Sequence, residues 1–142
     1  MTDEQAMPAH QQALDVLAWV CVSDRRLLVV RTRGRDAWYL PGGKREPGES
    51  DDAGLQREVS EELGVRLDGD SLRHYCTVED VSHGLAVQRR VRMSCYLGTS
   101  TDTPAPQAEI EAMAWFSAAD AARCAPAARQ VIAKLAADRL ID

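Results

Sequence analysis

The chain has 142 residues, of which 45% are hydrophobic and 27% are charged, and its formal net charge is −5. This is the length of one ordinary domain, and no apolar run approaches the roughly 20 residues that a transmembrane helix requires. The acidic balance also argues against general nucleic-acid binding, which depends on an excess of Lys and Arg.

Residues 1–12 carry acidic and amide side chains but lack the basic start and the apolar centre of a secretory signal. We therefore expect a flexible tail over 1–12, one domain over 13–142 and a cytoplasmic location. The cysteines form no CxxC pair, so the sequence predicts reduced, mostly buried thiols rather than a zinc knuckle or a redox dithiol. These cysteines are Cys21, Cys76, Cys95 and Cys124.

The first part of the domain predicts three short strands. Apolar stretches at 14–22 and 27–30 predict a hairpin around a turn at 23–24. A polar loop follows. Residues 38–40 then predict a short strand, which ends at the turn-forming Pro-Gly-Gly of 41–43.

Residues 51–63 predict an amphipathic helix. Ser50 is a suitable N-cap, and Gly64 is a suitable C-terminal stop. Apolar residues recur every fourth position and would form a buried stripe, whereas charged residues occupy the opposite arc. The stripe is Leu55, Val59 and Leu63, and the charged arc is Arg57, Glu58, Glu61 and Glu62.

The second half of the chain predicts strands at 72–81, 87–97 and 113–116, a turn at 82–84 and a loop at 98–108. Pro126 opens an Ala-rich helix. The residues expected to pack inward from this last segment are Val131, Ile132, Leu135 and Leu140. Because strands and helices interleave without regular βαβ alternation, we expect an α/β domain with a mixed sheet flanked by helices.

Charge is segregated along the first half of the chain. Residues 25–45 contain seven basic side chains and one acid, whereas residues 46–70 contain nine acids and two arginines. A cationic stretch that leads into an anionic one would suit a site for metal and polyphosphate. A solvated charged surface is the alternative explanation.

Three glutamates of the predicted helix favour a metal site. Glu58, Glu61 and Glu62 are spaced so that their carboxylates project to one side, where like charges repel. Mg²⁺ prefers oxygen ligands in octahedral geometry and would offset that repulsion. The glycines at 42–43 would let the backbone approach an ion or a phosphate. Arg57, one turn before Glu61, would hold that carboxylate by a charge-assisted hydrogen bond.

The spacing of these residues resembles a known family. From Gly43, five residues lead to Glu49 and seven more lead to Arg57, after which the sequence reads EVSEELGV. This resembles the Nudix box, G-x5-E-x7-R-E-U-x-E-E-x-G-U with U aliphatic, at every fixed position. The flanks are similar to the family over about residues 13–140, since an aromatic residue and Leu-Pro-Gly-Gly precede the box and a Trp-Phe strand follows it.

The resemblance implies an α/β/α sandwich and hydrolysis of a nucleoside diphosphate linked to another moiety. It implies Mg²⁺ or Mn²⁺ bound by Glu58, Glu61, Glu62 and the carbonyl of Gly42. The general base would be Glu61, which we favour, or a late-loop glutamate, Glu109 or Glu111, with Glu109 otherwise a loop ligand. Glu49 would brace the loop, and Arg57 would orient the carboxylates of the box.

The candidate substrate-binding residues are Arg31, Arg33, Gly43 and Lys44, because guanidinium forks match phosphate oxygens and glycine admits a phosphate close to the backbone. The small size and the compact C-terminal helix resemble MutT-type enzymes, so the expected reaction converts a (deoxy)nucleoside triphosphate to monophosphate and pyrophosphate. Ala128 stands where enzymes that clean up oxidised dGTP carry an asparagine. This difference argues against specificity for 8-oxoguanine.

Two other interpretations stay open. The chain could hydrolyse a dinucleoside polyphosphate or a nucleotide sugar, or it could be a noncatalytic module that senses a nucleotide. The complete box argues against the sensor. We expect a small nucleotide as the partner, no specific nucleic acid, no membrane, and a monomer or homodimer.

Overall fold

The computed structural model describes residues 13–82 and 89–142, which form seven strands and two α-helices. In chain order these are β1 (Leu14–Val20), β2 (Val22–Ser23), β3 (Arg26–Thr32), β4 (Gly42–Lys44), α1 (Asp51–Leu63), β5 (Arg73–Val81), β6 (Arg90–Leu97), β7 (Ile110–Phe116) and α2 (Pro126–Ala137). Short 3₁₀ turns lie at Gly69–Ser71 and Ala118–Arg123. The predicted tail over 1–12 and most of the predicted turn at 82–84 lie outside the described residues.

The strands form two sheets. The larger has the order β4-β1-β6-β5, with β1 and β6 parallel and the other pairs antiparallel, and is the predicted mixed sheet. The smaller sheet, β2-β3-β7, is antiparallel. The sequence did not predict this division into two sheets.

Alternating residues of β1 bury opposite faces of the larger sheet. Leu17 and Trp19 pack into the core beneath α1, whereas Ala18 and Val20 pack into the core beneath α2. All four side chains are buried. Because successive side chains of a strand point to opposite faces, a strand with both faces buried lies between two helical layers. The expected arrangement of a mixed sheet flanked by helices is therefore confirmed.

Helix α1 begins and ends where the sequence predicts. The Ser50 hydroxyl accepts a hydrogen bond of 3.1 Å from the Ala53 amide, and Gly64 ends the helix in the left-handed region with a φ of 66°. The predicted apolar stripe of Leu55, Val59 and Leu63 is buried, so the charged arc lies on the side of the helix away from this core.

The strand predicted at 38–40 is wrong, and the strand β4 lies just after it. Tyr39 exchanges two backbone hydrogen bonds of 2.8 Å with Val30, which makes an isolated bridge rather than a strand. The strand that pairs with β1 runs over Gly42–Lys44, and the Pro41 carbonyl just before it accepts a hydrogen bond of 2.9 Å from the Trp19 amide. Gly42 has a φ of 147°, and a Cβ there would lie 1.9 Å from the Leu17 carbonyl oxygen. Only glycine therefore lets the chain run this close to β1.

The expected inward packing of Leu140 is also wrong. Helix α2 ends at Ala137, and Arg139 adopts a left-handed φ of 62° that reverses the chain. Leu140 is 40% exposed as a result, and Ile141 enters the core in its place. No helix of the described segments is both long and apolar enough to cross a bilayer. The four cysteines are free thiols, and three of them are buried.

Candidate active site

The carboxylate of Glu58 lies against the backbone of β4. A Cβ at Gly43 would be 2.2 Å from Glu58 Oε2, so glycine at this position leaves the space that the carboxylate occupies. The Glu58 side chain is only 15% exposed. Burial raises the pKa of Glu58, and the neighbouring Arg57 guanidinium opposes that rise.

Glu62 points to the same strand. Its Oε1 accepts a hydrogen bond of 3.0 Å from the Gly42 amide. Burial raises the pKa of Glu62 to about 7, and the charges of Glu58, Glu61 and Glu109 raise it as well, while the Gly42 amide lowers it. Two carboxylates of α1 therefore lie against two consecutive glycines of β4.

Arg57 does not hold Glu61 in the way the sequence predicts. Its hydrogen bonds go to Glu49, from Nε to Oε2 at 2.7 Å and from Nη2 to Oε1 at 3.0 Å, and from Nη2 to the Lys44 carbonyl at 3.1 Å. Glu61 is a looser ion-pair partner at 3.5 Å, and Glu58 is one at 3.6 Å. The helical spacing does bring Arg57 near Glu61, but the loop folds back and offers both oxygens of Glu49 to the guanidinium.

Glu49 braces the loop between β4 and α1. Besides binding Arg57, its Oε1 accepts a hydrogen bond of 2.9 Å from the Glu46 amide. The hydrogen bonds from Arg57 are the main reason that the pKa of Glu49 falls to about 2, so the carboxylate is ionised at neutral pH.

Gly54 also contributes to the contact between α1 and this loop, and it was not among the predicted site residues. It is buried in α1, and a Cβ there would be 2.8 Å from Leu17 Cδ1 and 2.9 Å from Glu49 Oε1. A glycine inside a helical pattern lowers helix stability, so its presence indicates a packing requirement. That signal was present in the sequence.

A cavity of about 320 Å³ opens beside Glu62 and β4. Its walls are mainly apolar and include Val16, Tyr39, Leu40, Met93, Ala127 and Ala128. The polar side chains along it include those of Arg35, Lys44 and Glu62. Mainly apolar walls with a few charged groups are typical of a small-molecule site.

The two predicted phosphate-binding arginines, Arg31 and Arg33, are not among the described residues that line this cavity. Arg31 Nη1 is 3.0 Å from Glu111, and its guanidinium stacks over Trp38. A register shift between β3 and β7 leaves Glu111 as an extra residue opposite Arg31, which explains the pair. The Arg33 amide donates a hydrogen bond of 2.8 Å to the Glu109 carbonyl.

The donor set fits a hard divalent cation in the kind of its atoms, which are carboxylate and backbone carbonyl oxygens. In the segments 13–82 and 89–142, no three Asp, Glu, His or Cys side chains stand close enough together to hold an ion. The Arg57 guanidinium lies near both Glu58 and Glu61 and partly neutralises them. Mg²⁺ and Mn²⁺ prefer oxygen ligands such as carboxylates. The glycine at position 43 gives the Glu58 carboxylate room beside the backbone of β4.

A model of the NUDIX domain matches residues 11–135. The chain belongs to the NUDIX domain family. The predicted resemblance is therefore confirmed, and the matched range includes the segment from Gly43 to Val65 that carries it.

Three relatives show how this NUDIX domain compares with known proteins. A MutT-like protein from Streptomyces ambofaciens is 40% identical over 65 residues, which are 46% of this chain and 41% of that protein. The structure of a MutT NUDIX hydrolase from Burkholderia pseudomallei aligns with a TM-score of 0.70 and 23% identity. The alignment covers 87% of this chain and 98% of that protein.

The third is a bifunctional NMN adenylyltransferase/ADP ribose pyrophosphatase from Francisella tularensis, complexed with AMP and a Mn ion. The alignment covers 96% of this chain and 45% of that protein, with 14% identity and a TM-score of 0.65. At these identities the solved structures show the shared fold. The chain covers no more than 41% of the length of the curated relatives that it matches.

Proposed function

We propose that this NUDIX domain is a divalent-metal-dependent pyrophosphohydrolase that cleaves a nucleoside triphosphate to monophosphate and pyrophosphate. The observation that carries the proposal is the position of Glu58 and Glu62, whose carboxylates lie against Gly43 and Gly42. Glu62 also lines the adjoining cavity. A diphosphate bound through a metal ion at these carboxylates would have the cavity within reach of its nucleoside.

Glu58, Glu61 and Glu62, with the carbonyl of Gly42, would hold Mg²⁺ or Mn²⁺. When bound, the ion neutralises diphosphate oxygens and makes a coordinated water more acidic. The Mn ion in the Francisella tularensis structure supports this assignment. The Arg57–Glu49 pair fixes the loop after β4 to the helix that carries the three carboxylates.

The base would be Glu61 or Glu109. Glu61 is 57% exposed and its ion pair with Arg57 is loose, at 3.5 Å, so its carboxylate is accessible to accept a proton from water. Glu109 is exposed, and its charge acts on Glu62. Glu111 is less suited because Arg31 holds it in an ion pair of 3.0 Å.

Phosphate binding is assigned first to side chains beside the carboxylates. Lys44 and the Gly43 backbone line the cavity next to Glu62, and Arg35 lines it from the loop after β3. Arg33 stays a candidate at the edge of this group. Arg31 would first have to leave Glu111 in order to reach a phosphate.

The triphosphate is the proposed substrate because of the likeness to the MutT-like protein and because small apolar residues, Ala127 and Ala128, form one wall of the cavity. Such a wall accepts a flat nucleobase. The test is a panel of nucleoside triphosphates, dinucleoside polyphosphates and nucleotide sugars, with and without Mg²⁺. Products would be separated by ion-exchange chromatography.

We expect monophosphate and pyrophosphate from triphosphates only when Mg²⁺ is present. Glu62→Gln should lower kcat at least about 100-fold, whereas Glu79→Gln, an exposed glutamate on β5, should not. Release of products only from dinucleoside polyphosphates or nucleotide sugars would overturn the substrate. Full activity of Glu61→Gln and Glu62→Gln would overturn the catalytic assignment.

A further inference from the structure

Arg45 connects the two ends of the loop between β4 and α1. It directly follows β4, and its Nη1 binds the carboxylate of Asp51, the first residue of α1. Its Nη2 binds the carboxylate of Asp15 on β1, and its backbone amide donates to the Asp15 carbonyl at 3.4 Å. A guanidinium fork can hold two carboxylates at once, so Arg45 joins the start of the helix to β4 and to β1.

Tyr96 joins the same end of the helix to a third strand. From β6, its hydroxyl donates a short hydrogen bond to Asp51 Oδ2, while Arg45 binds Oδ1. The Tyr96 ring packs against the core beneath α1 and meets the His74 ring edge-on, with 5.4 Å between the ring centres. Both carboxylate oxygens of Asp51 are thus bound, one from β6 and the other from the residue after β4.

The start of α1 controls where the glutamates farther along the helix lie. Glu58 is seven residues after Asp51. That is about 10 Å along the helix axis, so a pivot of about 10° at Asp51 would move Glu58 by about 2 Å. The Oε1 atom of Glu62 lies 3.0 Å from the Gly42 amide, and a hydrogen bond does not survive a displacement of that size.

The Arg57–Glu49 clamp and the Asp51 contacts act on different parts of the helix. Arg57 joins the middle of α1 mainly to its own loop, through Glu49. Arg45 and Tyr96 join its first residue to the strands of the larger sheet. The clamp alone therefore leaves the start of the helix to be fixed by other residues.

We propose that Arg45 and Tyr96 are positioning residues, which act through Asp51 to hold α1 in the orientation that places Glu58 and Glu62 against β4. The expected effect on catalysis rests on the proposed function, whereas the contact between helix and strand exists without substrate. The side chains of this group are partly exposed, so their ion pairs add little to stability. Their effect on the geometry of the site should therefore exceed their effect on unfolding.

Tyr96→Phe is the mildest test, because it removes one hydroxyl and keeps the packed ring. We expect kcat for the nucleotide found active to fall about 3-fold, with little change in KM, since Tyr96 is not among the residues that line the cavity. Tyr75→Phe is the matched control. The Tyr75 hydroxyl donates to Asp138 at the end of α2, so this change removes the same group from the other side of the same sheet and should keep kcat.

Arg45→Lys keeps the charge but replaces two divergent guanidinium nitrogens with one ammonium group. We expect kcat to fall about 10-fold, again with little change in KM. Arg25→Lys is the control, because Arg25 pairs with Asp142 at 2.6 Å and holds a turn far along the chain from α1. Equal losses of kcat in the two controls would mean that such contacts only support the fold. Wild-type kcat in both Tyr96→Phe and Arg45→Lys would overturn the inference.

Hydrogen exchange of the Gly42 amide tests the inference without substrate or metal. This amide donates to Glu62 Oε1, so its exchange rate reports on the contact between α1 and β4. In the metal-free protein, Arg45→Lys and Tyr96→Phe should each speed its exchange at least about 3-fold relative to the Val30 amide, which donates to the Tyr39 carbonyl, and the two controls should not.

The exchange measurement also keeps this inference separate from the proposed function. Unchanged Gly42 exchange in both variants would overturn the inference whatever their activity. If the wild-type protein hydrolyses no nucleotide but Gly42 exchange rises in both variants, the proposed function fails while the positioning of α1 stands.

Discussion

Arg57 and Glu49 are joined by two hydrogen bonds, of 2.7 and 3.0 Å, that fasten the loop before α1 to the middle of that helix. The same guanidinium reaches the Lys44 carbonyl at 3.1 Å. One side chain thus joins the end of β4, the loop and the helix. Because Glu58 directly follows Arg57, the clamp also sets where that carboxylate meets Gly43.

Arg57→Lys tests this clamp while keeping the charge. Lysine cannot form the paired hydrogen bonds of a guanidinium fork, so the loop and the helix should lose their fixed relation. We expect a fall in kcat of at least about 10-fold, with a smaller change in KM. Steady-state kinetics on the nucleotide found active would measure this, with Arg66→Lys, an exposed arginine after the box, as the control. Wild-type kcat in Arg57→Lys would contradict the clamp.

The same pair predicts how acid affects stability. The pKa of Glu49 is lowered to about 2 by Arg57, whereas an unfolded glutamate titrates near about 4.3. A lowered pKa stabilises the folded state above the unfolded pKa, and this contribution is lost as the pH falls through the folded value. The difference in melting temperature between wild type and Glu49→Gln should therefore be constant above about pH 5 and shrink toward pH 2. A melting-temperature difference that stays constant down to pH 2 would contradict the stabilising role of the ionised Glu49.

Gly43→Ala tests the contact between β4 and Glu58. The added Cβ would lie 2.2 Å from the carboxylate, so Glu58 must turn away from the strand. We expect weaker binding of Mn²⁺, measured by EPR of the free ion, and a loss of hydrolysis. Gly69→Ala is a matched control because its Cβ would meet only the end of the Gln56 side chain, at 3.3 Å. Unchanged Mn²⁺ affinity in Gly43→Ala would show that the contact between Gly43 and Glu58 is not needed for ion binding.

The sequence predicted the parts of the site that depend on local spacing. Helix α1, its caps and its charged arc follow from a period of 3.6 residues and from the preferences of Ser50 and Gly64. The complete box also predicted the family. The charged side of the helix could therefore be assigned before its neighbours were known, although Glu58 is in fact only 15% exposed.

Contacts between segments far apart in the chain could not be predicted. Arg45 binds Asp15 of β1 as well as Asp51 at the start of α1, and nothing in the local pattern pairs these residues. The strand at 42–44 was missed because Pro-Gly-Gly normally ends a strand. Here the glycines are needed to approach the Leu17 carbonyl oxygen, which is a tertiary requirement.

Melting temperatures of Glu62→Gln should distinguish two effects of Glu62 on stability. One is the destabilisation from burying its charge, and the other is the stabilisation from binding a metal ion. The pKa of Glu62 is raised to about 7 by burial, so ionising it at pH 8 opposes folding in the absence of metal. The metal-free variant should therefore melt at a higher temperature than wild type at pH 8, and the gap should narrow toward pH 5. Saturating Mg²⁺ should raise the melting temperature of wild type but not of the variant. Equal Mg²⁺ shifts, measured by calorimetry, would remove Glu62 from the ion site.

Ala128→Leu tests whether the cavity receives the nucleoside. Ala128 is 3% exposed and lines the cavity from α2, so a larger side chain would occupy space that a base would need. We expect KM for the nucleotide to rise about 10-fold or more, because misfit by a few carbon atoms in an apolar pocket costs about 1–3 kcal/mol. Ala133→Leu, on the exposed side of the same helix, is the control. An unchanged KM in a folded Ala128→Leu protein would place the nucleoside outside this cavity, since binding inside it could not tolerate the added carbons.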